Sequence, residues 1–265
     1  MKPFLKWPGG KRWIAGMLLE RIPKPYGRYF EPFLGGGAMF FALSPQDALI
    51  SDINPELINL YEVMRDSPLR LKELMCEHQG KHCKEYYYEI RASKPLQKEL
   101  QAARLLYLNR TCYNGMYRVN SKGEFNVPIG TKDNCIYDVE QFQDYSKALK
   151  NAEIAAVDFC VSIEKTVAGD VIFADPPYAS AGKEEQGFVK YNDKLFTWQD
   201  QVRLHQSLVA AKDRGVTVFL TNANCQEIRE LYANSGFIVS ESMRSSNIAG
   251  ITSKRAKVQE LLIST

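Results

Sequence analysis

The chain has none of the sequence features of a membrane or secreted protein. Its 265 residues contain no run of eighteen apolar residues, so the sequence predicts no membrane-spanning helix. A secretory signal is not evident, because the opening M-K-P-F leads directly into a polar, glycine-rich stretch. The six cysteines are scattered and contain no C-x-x-C pair, which favours reduced thiols over a disulfide framework. We therefore expect a soluble, cytoplasmic protein with no membrane partner.

The chain also has little excess charge. Its net charge is +3 and its pI about 8.4, an imbalance too small to establish a nucleic-acid partner by itself. Hydrophobic residues make up 45% of the sequence, which is enough to bury a core in one large domain or in one domain with an insert. Composition therefore leaves most function classes open, and the motifs decide between them.

Cysteine and histidine come close together at one place, residues 76–83 (C-E-H-Q-G-K-H-C). Two cysteines and two histidines could in principle bind zinc tetrahedrally. Four ligands within eight residues around a central glycine, however, leave the chain little freedom to wrap a metal ion. We therefore expect the end of a helix and a loop here, and no metal.

The most informative stretch begins with the apolar run at residues 171–174 (V-I-F-A), which predicts a buried strand. The next four residues are Asp175, Pro176, Pro177 and Tyr178. The two prolines fix φ and carry no backbone N–H, so the chain leaves the strand as a stiff corner. Ligands of parallel α/β sheets bind at the carboxyl ends of strands. A carboxylate, the carbonyls of the corner and a nearby ring suit a planar base that bears an amino group; the alternative is an ordinary turn closed by prolines.

A first glycine-containing loop lies near the start of the chain, at residues 7–11 (W-P-G-G-K). Its two glycines let the backbone approach a ligand closely. Trp7 and Lys11 flank them with an aromatic plane and a cation. The alternative is the N-terminus of a helix with a tryptophan in the core.

A second glycine-containing loop spans residues 31–37 (E-P-F-L-G-G-G) and precedes a predicted helix. Strand, glycine loop and helix form the opening of a nucleotide-binding βα unit, with Glu31 at the end of the strand. The three adjacent glycines let a ligand lie on the backbone. They do not follow G-x-G-x-x-G, so a nicotinamide dinucleotide is disfavoured.

Two further carboxylates follow predicted strands. Asp52 ends the strand at residues 48–51, where a carboxylate is placed to accept hydrogen bonds from ribose hydroxyls. Asp158 follows the strand at residues 153–157; beside a cofactor's adenine it would accept from the exocyclic amine, while Phe159 packs on the ring. The alternative for Asp158 is a solvated loop carboxylate.

The pattern of elements indicates an α/β protein with a Rossmann-like sheet and an inserted helical domain. Predicted strands and helices alternate in the first and last parts of the chain. The central region between them shows helices but no alternation with strands. We interpret residues 1–60 and 150–265 as the catalytic domain and residues 61–149 as the insert. Helices are predicted at 69–77, 85–92, 100–109, 198–214 and 226–234, and a final antiparallel strand pair near 237–241 and 257–263.

The loop at residues 179–194 and the helix after it complete the pattern around the corner. A long loop beside a strand-end site is typical of a lid or a substrate contact. Thr197 predicts the N-cap of the following helix, in which we interpret His205 as structural.

Within the insert, residues 109–132 interleave cations with bulky aromatic and apolar side chains. Cations suit phosphates and guanine edges, and bulky side chains can wedge between base steps. The alternative is an ordinary exposed hairpin. The residues concerned are Arg110, Arg118, Lys122, Lys132, Tyr113, Met116, Tyr117 and Phe125.

Taken in order, these motifs resemble the Dam-type (D12 class, alpha group) DNA adenine-N6 methyltransferases, whose target-recognition domain is inserted between the glycine loop and the D-P-P-Y corner. The resemblance covers nearly the whole chain. It implies the sheet of an S-adenosylmethionine-dependent methyltransferase, S-adenosyl-L-methionine as methyl donor, double-stranded DNA as substrate, and no metal. The residues implied around the cofactor are Trp7, Lys11, Glu31, Phe33, Gly35, Asp52, Asp158, Phe159 and Asp175.

The resemblance also implies the chemistry of the corner. A flipped adenine would donate its amino group to the Asp175 carboxylate and the Pro176 carbonyl, with Tyr178 stacked on its face. Two acceptors outside the ring plane favour a pyramidal nitrogen whose lone pair is aimed at the sulfonium methyl, so that displacement is direct and in line. The proton leaves afterwards, and no histidine or cysteine nucleophile is required.

Five residues of the insert, 113–116 (Y-N-G-M) and Arg118, match the family's GATC-reading hairpin. Tyr113 and Met116 occupy wedge positions, Asn114 lies between them, and Arg118 would read a guanine. After residues 127–130 (V-P-I-G) the family has an Arg-Tyr pair, whereas this chain has Thr131 and Lys132. GATC is therefore expected as the target, with discrimination at the outer base pair left open.

Two other functions remain open from the sequence. One is an RNA adenine-N6 methyltransferase, which would need contacts to loops or single strands. The other is a non-enzymatic DNA-binding protein with a vestigial cofactor fold. For the enzyme we expect a monomer in a bacterial or phage setting, with a cognate restriction endonuclease as an open alternative to an orphan role.

Overall fold

The computed structural model describes residues 1–136, 139–178, 196–245 and 257–265. The predicted lid loop at residues 179–194 lies outside these ranges. None of the helices in the described ranges has both the length and the apolar character needed to cross a bilayer.

Seven strands of the described chain form one mixed sheet in the order β3-β2-β1-β4-β5-β7-β6. Strand β4 lies parallel to β1 and to β5, whereas β7 runs antiparallel to β5 and β6. The order 3-2-1-4-5 is that of a doubly wound α/β sheet. The predicted Rossmann-like class and the final antiparallel pair are thus confirmed. The strands are β1 Tyr29–Glu31, β2 Ala48–Asp52, β3 Ala152–Ala156, β4 Val171–Ala174, β5 Thr217–Ala223, β6 Ile238–Ser245 and β7 Lys257–Ser264.

Helices connect these strands, and every helix predicted in the described ranges is confirmed within a few residues at its ends. Between β2 and β3 the described residues contain five α-helices. The α-helices are α1 Arg12–Arg21, α2 Ala38–Leu43, α3 Pro55–Asp66, α4 Pro68–Lys81, α5 Lys84–Ala92, α6 Lys98–Thr111, α7 Val139–Leu149, α8 Phe159–Glu164, α9 Trp198–Asp213 and α10 Gln226–Ala233.

Local capping explains why two of these helices begin where they do. The Asn54 side chain accepts hydrogen bonds from the backbone N–H groups of Glu56 and Leu57, and Pro55 occupies the first helical position of α3. Thr197 and Asp200 form a reciprocal capping box at the start of α9. Both starts are local in origin, which is why the N-cap at Thr197 is predicted from the sequence alone.

The chain divides into two compact units. The first comprises Met1–Gly16, Leu34–Gln46 and Ile50–Ala156, and the second Met17–Phe33, Asp47–Leu49 and Val157–Thr265. In the first unit α3 packs on α6, and the buried residues of these two helices form much of its core. In the second unit the core lies around β4 and β5 and includes Ile172, Ala174, Val218 and Leu220.

Candidate functional site

Residue 35 of the glycine loop in the first unit adopts a conformation that favours glycine. Gly35 has φ +47°, in the left-handed region, and a Cβ there would lie 2.8 Å from Cδ1 of Trp7. The loop is anchored by the Tyr61 hydroxyl, which donates to the Gly35 carbonyl at 3.1 Å. The backbone at Gly35 is therefore held close to the Trp7 indole, and no side chain of residue 35 lies between them.

Asp52 connects this loop to the end of β2. Its Oδ2 accepts from the Gly35 N–H and its Oδ1 from the Asn54 N–H, each at 3.0 Å. Burial raises the pKa of Asp52 above the ordinary value of 3.8, and these backbone hydrogen bonds oppose the rise. Two lone pairs on each oxygen leave the carboxylate able to accept further donors from a ligand.

Trp7 is itself held by a residue of the predicted insert. Its indole stacks on the Tyr117 ring, with centroids 4.7 Å apart and planes 22° apart, and the Tyr117 hydroxyl donates to Glu56 at 3.3 Å. Lys11 lies buried just before α1. The first unit thus brings Trp7, Gly35 and Asp52 together through direct contacts, and sequence reasoning had given Tyr117 no part in this arrangement.

The second unit holds an aromatic wall beside Asp158. Phe33 stacks on Phe159 with centroids 5.2 Å apart, and the Arg203 guanidinium lies 5.0 Å from the Phe159 centroid. Oδ1 of Asp158 accepts from Arg203 at 3.0 Å and from the backbone N–H of Cys160 at 2.9 Å. The Asp158 carboxylate is therefore held in one orientation, although its side chain remains 35% exposed.

Glu31 is the most buried carboxylate among the predicted site residues of the second unit. It is 2% exposed at the end of β1 and accepts from the Tyr29 hydroxyl at 2.7 Å. Burial and the neighbouring Glu31 raise the pKa of Tyr29 well above its usual range. Tyr29 therefore stays protonated and continues to donate to Glu31.

The D-P-P-Y corner leaves the sheet directly after β4. Pro176 is buried, whereas Asp175, Pro177 and Tyr178 are half-buried. Most of the corner is therefore not part of the packed core. Oδ1 of Asp175 accepts from the Thr221 hydroxyl on β5 at 2.7 Å. The carboxylate is thus presented from a strand end and held by a neighbouring strand.

The predicted recognition segment is an irregular hairpin with two isolated bridges, Cys112 with Ile129 and Val119 with Phe125. Its first arm contains the 3-10 helix Tyr113–Gly115, in which Asn114 has φ 56°, and its turn lies at residues 120–124. The Tyr113 side chain is 49% exposed, which places a large aromatic ring in solvent.

The cations of this segment differ in their surroundings. Arg118 is exposed, and its Nε donates to Asn126 Oδ1 at 2.7 Å, which orients the guanidinium. Lys132 lies near two other cations, Lys6 and Arg110. Its pKa is lowered mainly by partial burial and, to a smaller extent, by the positive charges of these two residues. Met116 is half-buried.

The cysteine–histidine stretch at residues 76–83 forms the predicted helix end and loop, because α4 ends at Lys81 and α5 begins at Lys84. His78 hydrogen-bonds the Tyr86 hydroxyl at 2.8 Å, and burial lowers its pKa to about 4. His82 hydrogen-bonds the Tyr107 hydroxyl at 2.7 Å. Within the described ranges no three His, Cys, Asp or Glu side chains are grouped as metal ligands would be.

Two neighbours of the predicted site residues escaped sequence reasoning. Thr221 carries a weak signal, since it is a polar residue that follows the apolar strand residues 218–220. Arg203 carries none, because a helical arginine three residues after Asp200 is usually interpreted as a surface ion pair. His205, interpreted as structural, hydrogen-bonds Ser235 at 2.7 Å.

Comparison with known proteins points to the family that the motifs resemble. The family model for D12 class N6 adenine-specific DNA methyltransferases matches residues 7–246. A type II methyltransferase of Lactococcus lactis subsp. cremoris is 38% identical over 272 residues, which cover 99% of this chain and 95% of the relative. A type II methyltransferase of Methanocaldococcus jannaschii is 35% identical, with 99% and 98% coverage. The DNA adenine methylase of Escherichia coli K12 is 30% identical, with 98% and 94% coverage.

Proposed function

The chain belongs to the D12 class of N6 adenine-specific DNA methyltransferases, and from this premise we propose that it transfers the methyl group of S-adenosylmethionine to N6 of a flipped adenine in duplex DNA, within the sequence GATC. The observation that supports this most is the corner after β4. Asp175 stands half-buried at the carboxyl end of a parallel strand, where a bound base can reach it. An acceptor fixed at that point suits an exocyclic amine.

Residues of each unit suit the cofactor. In the first unit the glycine loop packs against Trp7 and has no side chain of its own at residue 35, and Asp52 would offer acceptors for two ribose hydroxyls. In the second unit Asp158 would accept from the adenine amine, and Glu31 would pair with the cofactor's ammonium group. The proposed cofactor-binding residues are Trp7, Lys11, Glu31, Phe33, Gly35, Asp52, Asp158, Phe159 and Asp175.

S-adenosylmethionine, when bound, supplies a methyl group activated by its sulfonium. The protein's part is to position the adenine amine. Asp175 and the Pro176 carbonyl would accept hydrogen bonds from its two N–H groups, which favours a pyramidal nitrogen, and Tyr178 would stack on the base. Positioning and preorganised acceptors then lower the barrier, and Asp175 stabilises the positive charge that develops on the nitrogen.

The helical insert, residues 61–149, would read the DNA. Unstacking the target base costs a few kcal/mol, which contacts in the pocket and from the insert offset. Tyr113, whose ring is exposed, and Met116 would fill or wedge the opened step, and Asn114 lies in the 3-10 helix between them. Arg118 would contact a guanine and Lys132 the outer part of the site.

Replacing Arg118 with methionine is expected to relax sequence discrimination. A bidentate arginine–guanine contact is worth about 1–3 kcal/mol, so kcat/KM on GATC should fall relative to one substituted duplex by roughly 5- to 150-fold. Steady-state rates on GATC and on its single-base variants measure this. Lys122→Met, an exposed cation of the same hairpin, is the matched control and should leave discrimination unchanged. Equal discrimination by the Arg118→Met variant would rule out base reading by this residue.

Affinity for S-adenosylmethionine is expected to fall in acid through Asp52. Because burial raises the pKa of Asp52, protonation on acidification begins at a pH above the ordinary 3.8 and removes an acceptor for ribose. Affinity should therefore be full above the raised pKa and lost as the pH falls through it. Calorimetric titrations between neutral and acidic pH check this. The Asp52→Asn variant should bind more weakly and lose this part of the pH dependence; an identical profile in both proteins would exclude Asp52.

One experiment tests the proposed function itself. Unmethylated duplex DNA is incubated with the protein and S-adenosylmethionine and then analysed by methylation-sensitive sequencing. N6-methyladenine confined to GATC is expected. Methylation at another sequence would overturn the target, and methylation of a competing RNA instead of DNA would overturn the substrate.

The setting of the enzyme follows from its substrate. Bacterial and phage DNA is accessible in the cytoplasm, where we place the protein as a monomer. The relatives from L. lactis and M. jannaschii are named type II methyltransferases, a term used for restriction–modification systems, which favours a cognate restriction endonuclease as partner.

A further inference from the structure

Strand β5 carries two polar residues near its end that are completely buried. Thr221 and Asn222 are each 0% exposed. They directly follow the apolar residues Val218, Phe219 and Leu220 of the same strand. Fully buried polar side chains are uncommon and nearly always hydrogen-bonded. Thr221 and Asn222 therefore need side-chain hydrogen-bond partners, whereas apolar residues at these positions would need none.

The parallel pairing of β4 and β5 explains where the Thr221 hydroxyl points. Ala174 pairs with Leu220, so Asp175 and Thr221 come next on their strands at the carboxyl edge. The hydroxyl donates to Asp175 Oδ1 at 2.7 Å, an optimal distance for O–H···O. Threonine is branched at Cβ and stiff at χ1, which restricts the direction of this donor.

Neighbouring contacts hold Thr221 itself in place. On its other side β5 pairs with β7, Thr221 opposite Leu262. The Asn222 side chain donates to Gln201 on α9 at 2.9 Å, and Gln201 donates to the Tyr232 hydroxyl on α10 at 2.8 Å. The end of β5 is thus tied to a second strand and to two helices.

We propose that Thr221 is a positioning residue for methyl transfer: its hydroxyl holds the Asp175 carboxylate in the orientation in which it accepts from the adenine amine. This inference rests on the proposed function and adds to it a residue outside the D-P-P-Y corner. Asp175 is half-buried, whereas Thr221 is completely buried and held by its surroundings. Small misplacements of a reacting group are costly, about 10²-fold for 1 Å.

The test compares Thr221→Val, which removes the hydroxyl but keeps the shape, with Thr221→Ser, which keeps the hydroxyl. For the valine variant we expect kcat to fall by roughly 10- to 100-fold, with KM for DNA and for S-adenosylmethionine nearly unchanged. The serine variant should recover most of kcat. Thr217→Val is the matched control, since Thr217 lies on the same strand about 13 Å away, towards its other end. Its kcat should equal that of the unaltered protein.

A 2-aminopurine at the target position separates positioning from base flipping. Its fluorescence rise on flipping should be the same for Thr221→Val as for the unaltered protein, because the hydroxyl acts on the carboxylate and not on the opened DNA. Loss of that rise would overturn the inference. Wild-type kcat in the valine variant would overturn it while leaving the proposed function intact, and so would an equal loss of kcat in the serine variant, which would indicate a purely structural role. Absence of methyl transfer by the unaltered protein would instead refute the proposed function.

Discussion

Asp175→Ala is expected to abolish methyl transfer, with a fall in kcat of about 10³-fold or more. The substitution removes the acceptor that would hold the adenine amine and the negative charge that would stabilise the developing cation. It also leaves the buried Thr221 hydroxyl without its acceptor, which costs about 1–3 kcal/mol of unfolding free energy. Single-turnover transfer to a defined GATC duplex, measured below the melting transition, checks the result.

Two further variants sharpen this expectation. Asp175→Asn keeps an oxygen for Thr221 but loses the charge and introduces an amide donor, so it should restore stability without restoring turnover. Asp213→Ala, which removes an exposed aspartate at the end of α9, is the matched control and should leave kcat unchanged. Turnover by Asp175→Ala close to that of the control would contradict the mechanism.

Gly35→Ala is expected to have the second largest effect, a loss of S-adenosylmethionine affinity of roughly 10- to 100-fold, about 1.4–2.7 kcal/mol. Alanine is strained at φ +47°, and its Cβ would meet Cδ1 of Trp7 at 2.8 Å. The indole cannot simply withdraw, because it is stacked on Tyr117. The loop must therefore shift, and the Gly35 N–H that binds Asp52 shifts with it.

Gly169→Ala separates the two causes of that effect. Gly169 has φ +88° but nothing within 4 Å of an added Cβ, so the substitution adds backbone strain without a clash. It should lower the free energy of unfolding by about 1–2 kcal/mol and leave cofactor affinity unchanged. Calorimetry and thermal melts of both variants provide the comparison. Full cofactor affinity in Gly35→Ala would remove the glycine loop from the binding site.

The sequence by itself determined what depends on neighbours along the chain. The run V-I-F-A followed by D-P-P-Y specifies a buried strand and a stiff exit, because burial pattern and proline geometry act over a few residues. Asn54 and Thr197 likewise start their helices through side chains that reach only two or three residues. The order of such signals was enough to predict the fold class and the family.

Only the tertiary structure decided which distant side chains support the predicted site. The Thr221 bond to Asp175 spans 46 positions, the Arg203 bond to Asp158 spans 45, and the stack of Trp7 on Tyr117 joins the N-terminal loop to the insert. These pairs depend on strand register and on packing between elements, which no local pattern encodes. The same long-range pairing placed the last strand, β7, between β5 and β6, where it closes the far side of Thr221. The sequence thus predicts which residues can carry the chemistry. The contacts that orient their side chains form only when segments distant in the chain pack into one core.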